Sequence, residues 1–123
     1  MKSEADIKAY AFDLKDVQLL ESSFTRAMKA DVNYLLKIDP NTLLSDFHSY
    51  AGLKPKGERY GGWESSGLAS HSLGHYLSAI SLAYAATNNE EFLKRGNYIV
   101  DELDECQKAR KTGYWSENGE RRC

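Results

Sequence analysis

Cysteine is scarce in this chain. Cys106 and Cys123 are the only two in 123 residues, they lie far apart, and they form no CxxC. A disulfide framework needs more thiols and a zinc site needs ligands at recognisable spacing, so neither organises the chain. Cys106 reads as a semi-buried thiol and Cys123 as part of a mobile terminus. An excess of one charge is lacking too. Sixteen Lys and Arg stand against eighteen Asp and Glu, a net charge of −2, which argues against a nucleic-acid surface. No window approaches 18 consecutive apolar residues, so no membrane span is expected. The opening "MKSEADIKAYAFDL" has no apolar core of a signal peptide, so export is not encoded there and the compartment stays open. Phosphate-binding GxGxxG and Walker patterns are missing, as is any specific Ser-His-Asp order. β-Branched segments with period two are also few.

What remains is a helical pattern. Hydrophobic residues make up 41% and charged residues 28% of a length that fits one domain with a packed core. Residues 1–21 read as an extended arm, residues 22–115 as the helical body and 116–123 as a mobile tail. Ser22 or Ser23 caps a first helix, whose Phe24, Met28, Val32 and Leu35 fall on one stripe. "IDPN" stops it and starts a second, with Asp39 as N-cap and Pro40 in the first turn. Leu43, Leu44, Phe47 and Tyr50 line that helix, and Gly52 reads as its C′ residue. A long loop spans 53–69 and carries Pro55, Gly57, Gly61, Gly62 and Gly67; loops of that length are often functional.

A third helix is expected from about Ser70 to Asn88, with Gly74 permitting close helix approach. Between Tyr76 and Ala86 its polar atoms are serine hydroxyls and tyrosine phenols alone. Such a helix must be surrounded by protein. Four helices enclose one of their number only partly, so it is short of neighbours: either the chain forms a homo-oligomer or these residues begin something larger. "TNNEE" recaps a fourth helix reaching about Lys111, with Phe92, Ile99, Leu103 and Cys106 inward. Its run Asp101, Glu102, Asp104 and Glu105 reads as a solvated face. The fold class is all-α, in helical hairpins.

The site candidates cluster at the entrance to the third helix. His71 and His75 are four residues apart and project from the same side. HxxxH offers two metal ligands where a site needs at least three, and "HSLGH" lacks the glutamate of HExxH. Hydrogen bonding to a polar ligand suits the pair better, with capping and packing as the structural alternative. Trp63 and Glu64 follow two glycines that let the backbone turn sharply. An indole face beside a carboxylate suits a sugar ring; equally, Trp63 plugs the bundle end and Glu64 caps a helix. Tyr60, Tyr76, Tyr84, Tyr98 and Tyr114 read mainly as core with a polar tip.

The stretch "AGLKPKGERYGGWESSGLASHSLGHYLSAISLAYAAT", with "YIVDELDECQKARKTGYW" further on, resembles the amino-terminal region of β-L-arabinofuranosidase-type glycoside hydrolases of families 127 and 146. "DVQLLESSF" and "NYLLKIDPNTLLSDFHSYAGL" fit the same region, so the resemblance runs from about Phe12 to Tyr114. It implies the first part of an (α/α)6 barrel with a pocket at one end. Trp63, Glu64, His71 and His75 would then shape a sugar subsite, and a carbohydrate would be the partner, with no nucleic acid or membrane. The resemblance also implies a cysteine nucleophile on zinc and a glutamate acid/base, all from later in the barrel. None of those motifs occurs here, so no catalytic role, zinc ligand or cofactor is assigned to this chain. The expectation is a truncated, inactive amino-terminal fragment of such an enzyme. The alternative is a stand-alone helical module that binds a carbohydrate or a protein.

Overall fold

The computed structural model describes residues 9–62, 65 and 71–111. Its first long helix, α1 (Ser23–Lys37), begins where Ser22 turns its hydroxyl to the Thr25 N–H, satisfying a donor with no partner inside the helix. The Thr25 hydroxyl in turn donates to the Leu20 carbonyl. Thr25 is therefore the buried residue at this end. Phe24, expected to head the apolar stripe, is 73% exposed; the buried edge of α1 starts a turn later, with half-buried Met28, Val32 and Leu35.

Helix α2 (Pro40–Tyr50) has the expected start, with Asp39 accepting from the Asn41 N–H at 2.9 Å and Pro40 in the first turn. It ends in a Schellman motif. Gly52 N–H donates to the Ser49 carbonyl at 3.1 Å, and Leu53 N–H to the His48 carbonyl at 2.8 Å. This closure needs a left-handed residue, and Gly52 supplies it at φ +76°. Helices α3 (His71–Thr87) and α4 (Glu90–Arg110) are joined by Asn88 and Asn89 alone. So short a connection folds them into a hairpin. Asn89 caps α4 by accepting from the Glu91 N–H.

The core lies where α2, α3 and α4 meet: Leu43, Leu44 and Phe47, then Leu73, Tyr76 and Ile80, then Phe92, Ile99 and Cys106. Each large apolar side chain buried there contributes roughly 1.5–3 kcal/mol. Helix α1 and a short 3₁₀ turn (Leu14–Asp16) pack on α3. No strand occurs among the described residues, and the fold is all-α in helical hairpins, as expected.

Helix α3 buries only Leu73, Tyr76 and Ile80. Leu82 is 60% exposed and Ser81, Ala85 and Ala86 are exposed beside it, so an apolar helix presents a bare face. Gly74 does not serve helix packing: a Cβ at this position would meet nothing within 4 Å. The close approach is made by Gly57 instead. Tyr114, Trp115 and the expected tail at 116–123 lie outside the described residues.

Candidate functional site

A cleft of about 500 Å³ opens between the end of α1, the start of α2, the loop after α2 and the first turns of α3. Tyr34 and Leu35 line it from α1, Ile38 from just past its end, Leu43 from α2, Tyr60 and Gly61 from the loop, and Ser72, His75, Tyr76 and Ala79 from α3. Its wall is mostly apolar and aromatic, with an imidazole, a serine hydroxyl and phenols as the polar groups. Such a mixture suits a small ring-bearing ligand with hydroxyls.

Arg95 makes one side of this cleft rigid. Helix α1 ends with carbonyls that lack intrahelical partners. The Arg95 guanidinium donates to the Ile38 carbonyl at 2.7 Å and the Leu36 carbonyl at 2.8 Å. It also donates to the Tyr76 hydroxyl at 3.1 Å, which in turn donates a hydrogen bond to the Leu35 carbonyl at 3.0 Å. A positive group at a helix C-terminus also meets the favourable end of the dipole. Three helices are thus pinned at one guanidinium, directly behind the cleft residues Leu35, Ile38 and Tyr76.

His71 and His75 stand on one side of α3, as their spacing requires. Their Nε2 atoms are 3.1 Å apart and the rings meet edge to face at 79°. Both are exposed. Only His75 lines the cleft; His71 reaches it through His75. With one ring donating to the other, the acceptor ring keeps an N–H elsewhere and the pair can both give and take hydrogen bonds. Trp63 and Glu64 lie outside the described residues.

A second polar centre was not legible as a site in the sequence. Glu102, expected on a solvated face, is only 5% exposed. Its neighbours Asp101, Asp104 and Glu105 are exposed. The Glu102 carboxylate accepts from His48 Nε2 at 2.8 Å and from Lys56 Nζ at 2.5 Å. Burial pushes its pKa upward, but the hydrogen bonds and charges of Lys56 and His48 outweigh that and hold it below the ordinary carboxylate range. The bond to Glu102 in turn raises Lys56. A signal was available. Phe92, Arg95, Ile99, Glu102 and Cys106 follow 3-4-3-4 spacing, so Glu102 falls on the inward stripe.

The Cys106 thiol is buried, and burial, followed by the charges of Glu102 and Glu105, pushes its pKa up. It is held protonated, which suits packing rather than nucleophilic attack. Among the described residues no three His, Cys, Asp or Glu side chains are grouped to hold a metal ion. The described residues therefore offer no ligand set for the zinc that the resemblance implies.

The described residues form an all-α assembly of helical hairpins with an aromatic, imidazole-edged cleft at its helix ends. The chain belongs to the family of the β-L-arabinofuranosidase GH127 catalytic domain, whose family model matches residues 16–122. Comparison with curated proteins finds no match. Membership makes this a glycoside hydrolase family sequence, with carbohydrate as the substrate class. No described helix is long and apolar enough to cross a membrane.

Proposed function

We propose that this chain forms the amino-terminal helices of a glycoside hydrolase acting on L-arabinofuranosyl-containing glycans, and that its cleft is a sugar subsite. The observation that carries the reading is the lining of the cleft: Tyr34, Tyr60, Tyr76, Ser72 and His75 around an apolar floor. Ring C–H faces stack on phenols, and furanose hydroxyls exchange hydrogen bonds with His75 and Ser72. His71 assists by fixing the tautomer of His75, and this reading also assigns Trp63 and Glu64, outside the described residues, to sugar binding.

Among the described residues that lining contains no carboxylate and no thiol. Glycoside hydrolysis ordinarily takes a proton donor and a nucleophile or base. In this reading both, together with zinc and its ligands, come from other parts of the intact enzyme, and the bare face of α3 at Leu82 packs against them. The chain alone binds sugar without cleaving it. Incubation with p-nitrophenyl β-L-arabinofuranoside tests this. No release of nitrophenol is expected beyond the buffer rate, and wild-type turnover above that rate would refute the assignment.

A second reading rests on the apolar groove between α1 and α3, lined by Met28, Val32, Ala79, Leu82 and Ala86. In it the chain is a stand-alone module whose groove is covered by a second copy. Light scattering separates the two, since the first reading expects no defined dimer and the second expects one.

A further inference from the structure

The loop after α2 is fastened to the helices at three separate places. Lys56 Nζ pairs with Glu102 on α4, and stands 6.0 Å from the Tyr98 ring centroid. Arg59 Nε donates to Asp46 in the middle of α2 at 2.8 Å. Between them, the Gly57 backbone rests on the first turn of α2, where a Cβ would come within 2.8–2.9 Å of Asn41 and Thr42 backbone atoms. Asn41 is itself held, accepting from the Tyr98 hydroxyl at 2.6 Å. Immediately after these ties, the chain delivers Tyr60 and Gly61 to the wall of the cleft.

Ordering a loop costs about 1–2 kcal/mol per residue in backbone entropy, so such fastening needs a compensating gain. An exposed Lys–Glu pair contributes little. This pair differs because its carboxylate is buried and shared with His48. Releasing Lys56 leaves a buried charge with one partner fewer, an expensive state. The tie therefore holds one loop position in preference to others.

We propose that Lys56 and Glu102 are positioning residues: through their ion pair, α4 sets where Tyr60 stands and so shapes the ligand subsite. This deepens the reading of the cleft as a sugar subsite and rests on it. Lys56 is half exposed, so its variants open no cavity in the core, although Lys56→Met leaves the Glu102 carboxylate to His48 alone.

The test compares the full chain with Lys56→Met and Lys56→Arg by ¹⁵N relaxation of residues 57–62 and by titration with methyl β-L-arabinofuranoside. Order parameters near 0.85 in the wild type are expected to drop below about 0.6 in the Met variant. Sugar affinity is expected to drop about tenfold alongside, a 1.4 kcal/mol effect. The Arg variant should restore both, with a melting midpoint closer to wild type than that of the Met variant. Equal order parameters in wild type and Met variant would overturn the proposal, as would unchanged affinity with a loosened loop. If the wild type binds no sugar, the subsite reading fails by itself. The relaxation comparison alone then decides whether the pair positions Tyr60.

Discussion

His48 and Glu102 are 54 residues apart in sequence, and their side chains meet at 2.8 Å in the interior. His48 is 1% exposed and its Nδ1 is buried without a hydrogen-bond partner among the described residues. With Glu102 ionised, Nε2 carries a proton and donates it to the carboxylate as a hydrogen bond. The carboxylate thereby joins α2, α4 and the loop that carries Lys56. Replacing it by Glu102→Gln keeps the shape but removes the charge that both donors use. A loss of about 1.5–3 kcal/mol is expected, read from urea unfolding at neutral pH.

Acid should erase that difference. Because Lys56 and His48 hold the Glu102 carboxyl below its ordinary range, its contribution is complete above the ordinary carboxylate pKa. It is lost as pH falls through the lowered folded-state value. The stability gap between wild type and Glu102→Gln should shrink steadily between about pH 5 and pH 2. A gap that stays constant over that range contradicts the assignment.

Arg95 should be the most sensitive charged residue near the cleft. Arg95→Met leaves the Leu36 and Ile38 carbonyls without this donor and removes a partner of Tyr76. The expected cost is about 2–3 kcal/mol. Arg95→Lys should recover little, since an ammonium lacks the planar fork that spans two carbonyls and a phenol. Thermal unfolding of the two variants checks this.

Gly57 and Gly61 should respond unequally to alanine. A Cβ at Gly57 meets α2 backbone atoms that cannot swing aside, whereas one at Gly61 meets nothing within 4 Å. Gly57→Ala is expected to cost about 1–3 kcal/mol and Gly61→Ala to stay within about 0.5 kcal/mol. Equal midpoints for the two variants would remove the tight contact at Gly57.

The bare face of α3 makes a separate prediction. Wild-type chain should enhance the fluorescence of an apolar dye, and Leu82→Lys should weaken that signal with stability changed by less than about 0.5 kcal/mol.

Helix ends were readable because they depend on local chemistry. Ser22, Asp39, Asn89 and Gly52 each satisfy backbone groups within a few residues. The all-α class followed from periodicity for the same reason. His71 and His75 were recognisable as neighbours because i and i+4 share a helix face, but which of them reaches the cleft depends on packing against α1 and the loop. Glu102 departs from the expected solvated face because its place between Ile99 and Cys106 is an inward one, which the exposed acids Asp101, Asp104 and Glu105 around it obscure in the sequence. His48 and Lys56, its partners, come from another helix and a loop; that meeting is tertiary and leaves no local mark. Gly57 looked like any loop glycine until the first turn of α2 came to rest against it.

The cleft as a sugar subsite is tested most directly by ¹H–¹⁵N chemical-shift mapping of the chain during titration with methyl β-L-arabinofuranoside. Saturable shifts confined to Tyr60, Gly61, Ser72, His75 and Ala79, and abolished by His75→Ala, are the expected result. Shifts that never saturate, or that gather along the α1–α3 groove around Val32 and Leu82 instead, would contradict it.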